Sequence, residues 1–220
     1  MNKLISFTEA AAKICDGATV MFGGFMANGS AQGIIDALVA QNVRDLTIIC
    51  NDSGWIDRGV GKLIVNKQCK KLITSHIGLN KETGRQMTDG ELEVNLVPQG
   101  TLAEQIRAGG YGLGGVLTRT GIGTLVEEGK QKVDVDGVTY LLEKPLRADF
   151  AVIGGSIVDK AGNIVYLGST NNFNNIMATA ADCVIVEARQ LVEIGEIDPN
   201  NVITPGIFVD YIVDGGGNGK

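Results

Sequence analysis

The feature that most restricts the fold is a recurring order of short apolar runs and amphipathic stretches. Thr19-Val20-Met21-Phe22 reads as a buried strand, Gly23-Gly24 as a break, and residues 31–41 as a helix with Ile34, Ile35, Leu38 and Val39 on one face. Residues 46–50 form the next strand, so strand, loop, helix and strand fit within about 30 residues, the length of a βαβ unit. Further strands are expected at residues 71–75, 93–97, 150–158, 164–167, 183–187 and 207–213, with a helix over 102–108. Strands this apolar are covered on both faces. The expected fold class is α/β, a mostly parallel open sheet with helices on both faces.

Two local signals refine this. Ser6-Phe7-Thr8-Glu9 fits a capping box that opens a short helix running to Ile14. Lys132 to Leu141 contains two alternating runs about Asp136-Gly137, which predicts an antiparallel β-hairpin inserted into the parallel frame. With no internal repeat and no linker evident, residues 1–214 are expected to be one domain and 215–220 a frayed tail.

Composition excludes several classes of function. The chain carries 25 acidic against 19 Lys and Arg residues, which argues against nucleic acid as a partner. Its longest apolar stretch, between Asp149 and Asp159, is interrupted by Gly154-Gly155 and is too short for a membrane span. Glu9, Lys13 and Asp16 break up any signal-peptide core, so a cytoplasmic setting is expected. Cys15, Cys50, Cys69 and Cys183 are dispersed and His76 is the single histidine, so no metal ligand set is expected and the thiols are read as buried and reduced.

The 31 glycines of 220 residues, roughly twice the usual share of about 7%, point to close-approach loops. Gly23-Gly24-Phe25-Met26-Ala27-Asn28-Gly29-Ser30 lies between a strand and a helix, where bare backbone amides and the helix amino terminus favour an anion; a tight turn with no ligand is the alternative. Gly110-Tyr111-Gly112-Leu113-Gly114-Gly115 satisfies G-x-G-x-x-G, but it follows a helix, which argues against a dinucleotide site. Asn51-Asp52-Ser53-Gly54, Pro98-Gln99-Gly100-Thr101 and the first glycine loop all follow strands, so they can converge on one sheet edge; taken singly, each also reads as a cap or an Asx turn. Phe25 and Trp55 are read as ligand-stacking residues or core anchors, Glu127-Glu128 as a solvated turn, and His76 is given no role.

Residues 16–29, Asn51-Asp52, Ser75-His76-Ile77-Gly78, Val97-Pro98-Gln99-Gly100-Thr101, Gly112-Leu113-Gly114-Gly115, Asn171-Asn172-Phe173-Asn174 and Thr204-Pro205-Gly206 together resemble the α (A) subunit of the family I, or 3-oxoacid, coenzyme A transferases along nearly the whole chain. Two departures stand out: Ser30-Ala31 where that family usually has proline, and Asn174-Asn175 in place of Asn-Pro. The resemblance implies movement of coenzyme A between short-chain acyl-CoA and carboxylic acids such as acetoacetate, acetate and butyrate. It implies coenzyme A as a substrate, no tightly bound cofactor, and an α2β2 heterotetramer with a β subunit. The family's nucleophilic glutamate lies in a Ser-Glu-Asn-Gly-type motif of the β half, a tetrapeptide this chain lacks, so no catalytic nucleophile is expected here. On the same resemblance, Gly23, Gly24, Phe25, Met26, Ala27, Asn28 and Gly29 bind coenzyme A, Asn51 and Gln99 support the reaction, and Gly112, Gly114 and Gly115 shape the acyl pocket. The competing readings are a non-catalytic acyl-CoA-binding subunit and a phosphosugar isomerase of the same general fold.

Overall fold

A computed structural model describes residues 2–216. In chain order the elements are β1 (Leu4–Ile5), α1 (Phe7–Ala12), β2 (Thr19–Phe22), α2 (Gln32–Gln41), β3 (Leu46–Asp52), α3 (Gly61–Val65), β4 (Cys69–His76), α4 (Lys81–Thr88), β5 (Glu93–Leu96), α5 (Gln99–Gly110) and β6 (Val116–Thr118). There follow β7 (Lys132–Val135), β8 (Val138–Glu143), β9 (Ala148–Gly155), β10 (Ile157–Asp159), β11 (Ile164–Val165), α6 (Asn174–Met177), β12 (Ala181–Ala188), β13 (Leu191–Val192) and β14 (Tyr211–Asp214).

Eight strands form one sheet in the order β1-β14-β12-β9-β2-β3-β4-β5, and every neighbouring pair in it is parallel. Alternation along the strands divides the core in two. Val20, Phe22, Ile48 and Cys50 face Ile34, Ile35 and Leu38 of α2 and Leu63 and Ile64 of α3, whereas Met21, Ile49, Ala151 and Ile153 face Leu102 and Ile106 of α5 and Met177 of α6. A sheet buried on both sides has no polar face to offer, which is why its strands read as continuous apolar runs.

The capping box forms as expected: Ser6 Oγ accepts from the Glu9 amide at 3.2 Å and Glu9 Oε2 accepts from the Ser6 amide at 2.8 Å. The hairpin β7–β8 turns at Asp136 (φ 50°) and Gly137 (φ 79°), the doubly positive pair that a two-residue turn matched to strand twist requires; β6 pairs with β8 to complete an antiparallel sheet.

Three expectations need correction. The run over 150–158 is two strands in different sheets: β9 continues through Gly154 and Gly155, which pair with Glu187 and Ala188, and the break falls at Ser156. After this break the chain joins a second, small sheet, β11-β10-β13. The last strand begins at Tyr211 rather than Ile207, since Gly206–Phe208 wind into a 3-10 turn whose Gly206 carbonyl, like that of Val209, accepts from Lys3 Nζ at 2.6 Å. The thiols are free but not uniformly buried: Cys50 and Cys69 are, Cys183 is half-buried, and Cys15 is exposed in the connection from α1 to β2.

Of the expected tail, Gly215 and Gly216 donate to Ala188 O at 2.8 Å and Asp214 Oδ1 at 2.9 Å, and 217–220 lie outside the described residues. Among the described residues no helix is long and apolar enough to cross a membrane.

Candidate active site

In an all-parallel sheet the strand order reverses once, and side chains gather where it does. Here the chain runs outward one way through β2-β3-β4-β5 and the other way through β9-β12-β14, so the switch lies between β2 and β9. The loop after β2 and the end of β9 meet there: the Gly23 amide donates to Val152 O at 3.0 Å. Beside them a cavity of about 410 Å³ is lined by Asn28, Gly29, Ser30, Gly154, Gly155, Ser156, Thr170, Glu187 and Arg189 among others.

The three loops after β2, β3 and β5 do converge. Gln99, the first residue of α5, donates through Nε2 to Asn51 Oδ1, and Ser75 at the end of β4 contacts Gln99 Oε1 and lies 2.6 Å from Asn51 O. Asn51 Nδ2 donates to Asp52 Oδ2 at 2.7 Å, and the same oxygen accepts from the Met26 amide at 2.8 Å. The other carboxylate oxygen accepts from the Gly54 amide at 2.9 Å. Asn51 and Asp52 are buried, while Gln99 is exposed. One hydrogen of the Gln99 amide is engaged by Asn51, and the other remains available to a ligand oxygen.

The glycine loop differs from expectation in how it uses its amides. Gly24 donates to Asn172 Oδ1 at 3.1 Å, Met26 to Asp52, and Phe25 and Asn28 to each other's carbonyls at 3.0 and 2.8 Å. The amino terminus of α2 is also taken: Glu187 of β12 accepts from the Gly33 and Ile34 amides at 3.2 and 2.9 Å. An internal carboxylate thus occupies the place where the helix dipole was expected to hold a ligand anion. The loop instead presents Phe25 and Met26, 46% and 41% exposed, at its tip; Phe25 is therefore no core anchor. Met26 and Ala27 sit at φ 51° and 64°, a conformation costing about 1–2 kcal/mol for each L residue. Asp52 holds the Met26 amide, and Trp55 Nε1 donates to the Met26 carbonyl at 3.2 Å.

Burial holds the Glu187 carboxyl above the ordinary value of 4.5, an effect that the Ile34 and Gly33 amides only partly offset. The folded chain therefore binds this proton more tightly than the unfolded chain. The resulting stability is present below the ordinary carboxylate pKa and is lost as pH rises through the folded value. Urea-unfolding midpoints measured from roughly pH 4 to 8 are expected to show this decline in the wild type and a flatter profile in Glu187→Gln; equal slopes would contradict it. Burial also pushes the Cys50 thiol up and the Cys69 thiol to about 12, so neither supplies a thiolate nucleophile near neutral pH.

Sequence reasoning missed an echo between neighbouring loops. Gly24-Phe25-Met26-Ala27-Asn28-Gly29 after β2 and Gly54-Trp55-Ile56-Asp57-Arg58-Gly59 after β3 share glycine, aromatic and aliphatic positions and a closing glycine. Both close with the same antiparallel bridge, Phe25 with Asn28 and Trp55 with Arg58, and the Arg58 guanidinium lies 5.8 Å from the Trp55 ring centroid. Aligning the residues that follow β2 and β3 would have revealed it. Asn172 and Asn174 entered the sequence reading through the resemblance alone, with no role assigned. Asn174, fully buried, accepts from the Gly154 amide at 3.1 Å and donates to Gly29 O and Thr170 O at 3.0 Å each.

The structure does not bring Gly112, Gly114 and Gly115 to this cluster. They follow the far end of α5, about 18 Å along a helix that starts at Gln99. Gly112 (φ 69°) ends that helix with the Leu113 amide bonded to Ala108 O at 3.0 Å, and a Cβ on Gly115 would stand 2.7 Å from Glu143 O of β8. His76 is exposed at the end of β4, where it pairs with Asp52 of β3 and its carbonyl accepts from the Ser53 amide at 3.0 Å.

Comparison with known proteins sets this geometry in a family. The coenzyme A transferase family model matches residues 4–215. The chain is 53% identical over 212 residues to the α subunit of an acetate CoA-transferase from Escherichia coli K12, covering 96% of each chain. It is equally 53% identical to the α subunit of an acetoacetyl-CoA:acetate/butyrate CoA transferase from Clostridium acetobutylicum, covering 96% of this chain and 97% of that one. Among solved structures, an acyl-CoA transferase from E. coli O157:H7, in a thioester complex with CoA, superposes with a TM-score of 0.85 at 24% identity. That superposition spans 97% of this chain but 47% of the longer one, and it speaks to the fold. With the switch-point loops, the parallel sheet and near-complete relatives in agreement, the chain belongs to the coenzyme A transferase family.

Proposed function

We propose that this chain is the α subunit of an enzyme that moves coenzyme A between an acyl-CoA and a short-chain carboxylate of the acetate, butyrate and acetoacetate class, and that it works only with a β subunit, as an α2β2 assembly. The observation that carries the reading is the pairing of an exposed amide, Gln99, with a buried carboxylate already committed elsewhere. Asp52, the carboxylate in this cluster, is buried and accepts from three internal donors, so it is not presented as a nucleophile. The α-subunit names of the 53% identical relatives support the need for a partner.

On this reading the partner's glutamate attacks the thioester carbonyl. The C–S bond breaks, the thiolate leaves as coenzyme A, and a mixed anhydride forms. The thiolate then attacks the glutamyl carbonyl, which frees the first acid and leaves a glutamyl thioester; a second acid reverses both steps. Each addition puts negative charge on a carbonyl oxygen, and a donor fixed beforehand stabilises that charge more than water does. The unengaged Gln99 N–H is this chain's contribution, with Asn51 holding it in place. Coenzyme A acts as a substrate with no resident cofactor, and the methyl and methylene groups of its pantetheine arm would lie along the exposed Phe25–Met26 tip of the loop from Gly23 to Gly29. Four unpaired cysteines suit the reducing cytoplasm.

Mixing purified α chain with and without its β chain, and following loss of acetoacetyl-CoA in the presence of acetate, tests this. Turnover is expected only from the mixture. Substantial turnover by the α chain alone would refute the shared-site reading.

A further inference from the structure

The amide chain Ser75–Gln99–Asn51 can be wired in two directions, and one group decides between them. In the first, Asn51 Nδ2 faces Asp52 Oδ2, Asn51 Oδ1 accepts from Gln99 Nε2, and Gln99 Oε1 faces the Ser75 hydroxyl. In the second, both amides are flipped: Asn51 Nδ2 would donate to Gln99 Oε1, and Gln99 Nε2 to Ser75 Oγ. Ser75 tolerates either, because a hydroxyl both donates and accepts. Its one hydrogen goes to Gln99 Oε1 in the first wiring and to Asn51 O, 2.6 Å away, in the second, where Oγ accepts from Gln99. Asn51 and Gln99 tolerate either as well, each amide having an oxygen end and a nitrogen end.

Asp52 does not. An ionised carboxylate only accepts, so flipping Asn51 would set Oδ1 against Asp52 Oδ2 at the present 2.7 Å separation. Asp52 cannot turn aside, since its two oxygens are tied to the Met26 and Gly54 amides at 2.8 and 2.9 Å and it is 6% exposed. Buried in this way, the repulsion between two acceptors is poorly screened.

Building on the reading of Gln99 as the oxyanion donor, we propose that Asp52 is a positioning residue: by fixing the direction of the Asn51–Gln99 amide chain, it ensures that Gln99 presents nitrogen rather than oxygen at the Asn51 end of its amide, and so sets where the free N–H points. Asp52 touches no substrate in this role. The same carboxylate holds the strained Met26 turn, so one side chain sets both the amide donor and the loop beside it.

The test moves the acceptor. In the assembled αβ enzyme, Gln99→Glu places an acceptor against Asn51 Oδ1, which Asp52 prevents from flipping. Thermal melting is expected to fall by at least about 2 °C. In an Asp52→Asn background Asn51 is free to turn its Nδ2 toward position 99, so Gln99→Glu is expected to lower the melting temperature little below that of Asp52→Asn alone, a comparison in which the cost of the lost Asp52 acceptor cancels. Kinetically, Asp52→Asn alone is expected to lower kcat at least 10-fold, whereas combining it with Gln99→Ala is expected to cost nothing beyond Gln99→Ala, because the two act through one donor. A role confined to the Met26 turn would instead raise KM for acyl-CoA and would add fully to Gln99→Ala.

An unchanged melting temperature in Gln99→Glu overturns the assignment even if Asp52→Asn fails to assemble, since Asn51 would then be flipping freely. A Gln99→Glu loss as large in the Asp52→Asn background as in the wild type overturns it too. Full turnover by Gln99→Ala is a separate result. It removes Gln99 from the reaction and fails the functional reading, while the melting measurements still judge the wiring.

Discussion

Replacing Gly23 with alanine is expected to unfold the ligand edge of the sheet and to abolish turnover. A Cβ at this position would lie 1.7 Å from Asn174 Oδ1 and 2.7 Å from its Cγ, far inside any tolerated contact. Asn174 has no space to retreat into, because it is fully buried and holds the Gly154 amide and the Gly29 and Thr170 carbonyls together. Driving it out strips a partner from the buried Gly154 amide, at about 1–3 kcal/mol, and from the half-buried Gly29 and Thr170 carbonyls, at less each, on top of the steric clash itself. A loss of about 3 kcal/mol or more corresponds to a fall of about 6–12 °C in melting temperature for a chain of this size. Gly84→Ala is the matched control: an added Cβ there meets nothing within 4 Å, and inside α4 it should leave stability unchanged or slightly raised. Differential scanning calorimetry of both variants decides the point, and a Gly23→Ala melting temperature within 2 °C of the wild type would show that the loop repacks around the methyl group.

The second large effect is expected at Gln99. Its side chain is exposed, and among the described residues its side chain bonds to Asn51 and Ser75 alone, so Gln99→Ala should leave folding, and assembly with the proposed β subunit, almost untouched. Losing one positioned oxyanion donor typically costs a factor of about 10²–10³ in kcat. The expected outcome is therefore a normal elution profile for the complex with turnover reduced by about two orders of magnitude, and with KM for acyl-CoA changed far less. Unchanged turnover would take Gln99 out of the site.

Gly23→Ala and Gln99→Ala rest on different kinds of sequence legibility. Gln99 was readable because it follows the apolar run of β5 and opens α5, and in a parallel sheet such a place shares one edge with the loops after β2 and β3. The partner that makes Gly23 irreplaceable was not readable. Asn174 lies 151 positions away, in a four-residue helix whose local pattern says nothing about where its amide points. Glu187 escaped for the same reason: its partners, the first amides of α2, are more than 150 residues distant, and nothing around Glu187 in β12 marks it as a cap for another element. The hairpin at Asp136-Gly137 was legible because two positive φ angles in succession select that dipeptide locally. Glycine density alone assigns no role to the segment from Gly110 to Gly115. A glycine that ends a helix at φ 69° and one that lets a strand carbonyl approach are indistinguishable by composition from glycines that admit a ligand.

The pairing of β1 with β14 fixes how a second polypeptide can be joined to this one. The two strands run parallel, Leu4 beside Ile212 and Ile5 beside Val213, so the chain enters the sheet at one rim and leaves it at the other. The exit is the rim of the loops after β2, β3 and β5, and Gly215 already lines the cavity at the switch point. A partner tethered after Asp214 therefore starts its path beside the site, where even a short linker keeps its local concentration high. A partner tethered before Leu4 must first cross the depth of the sheet. Carboxyl-terminal fusion is thus the order of subunits that asks least of a linker, and any purification tag is better carried at the amino end.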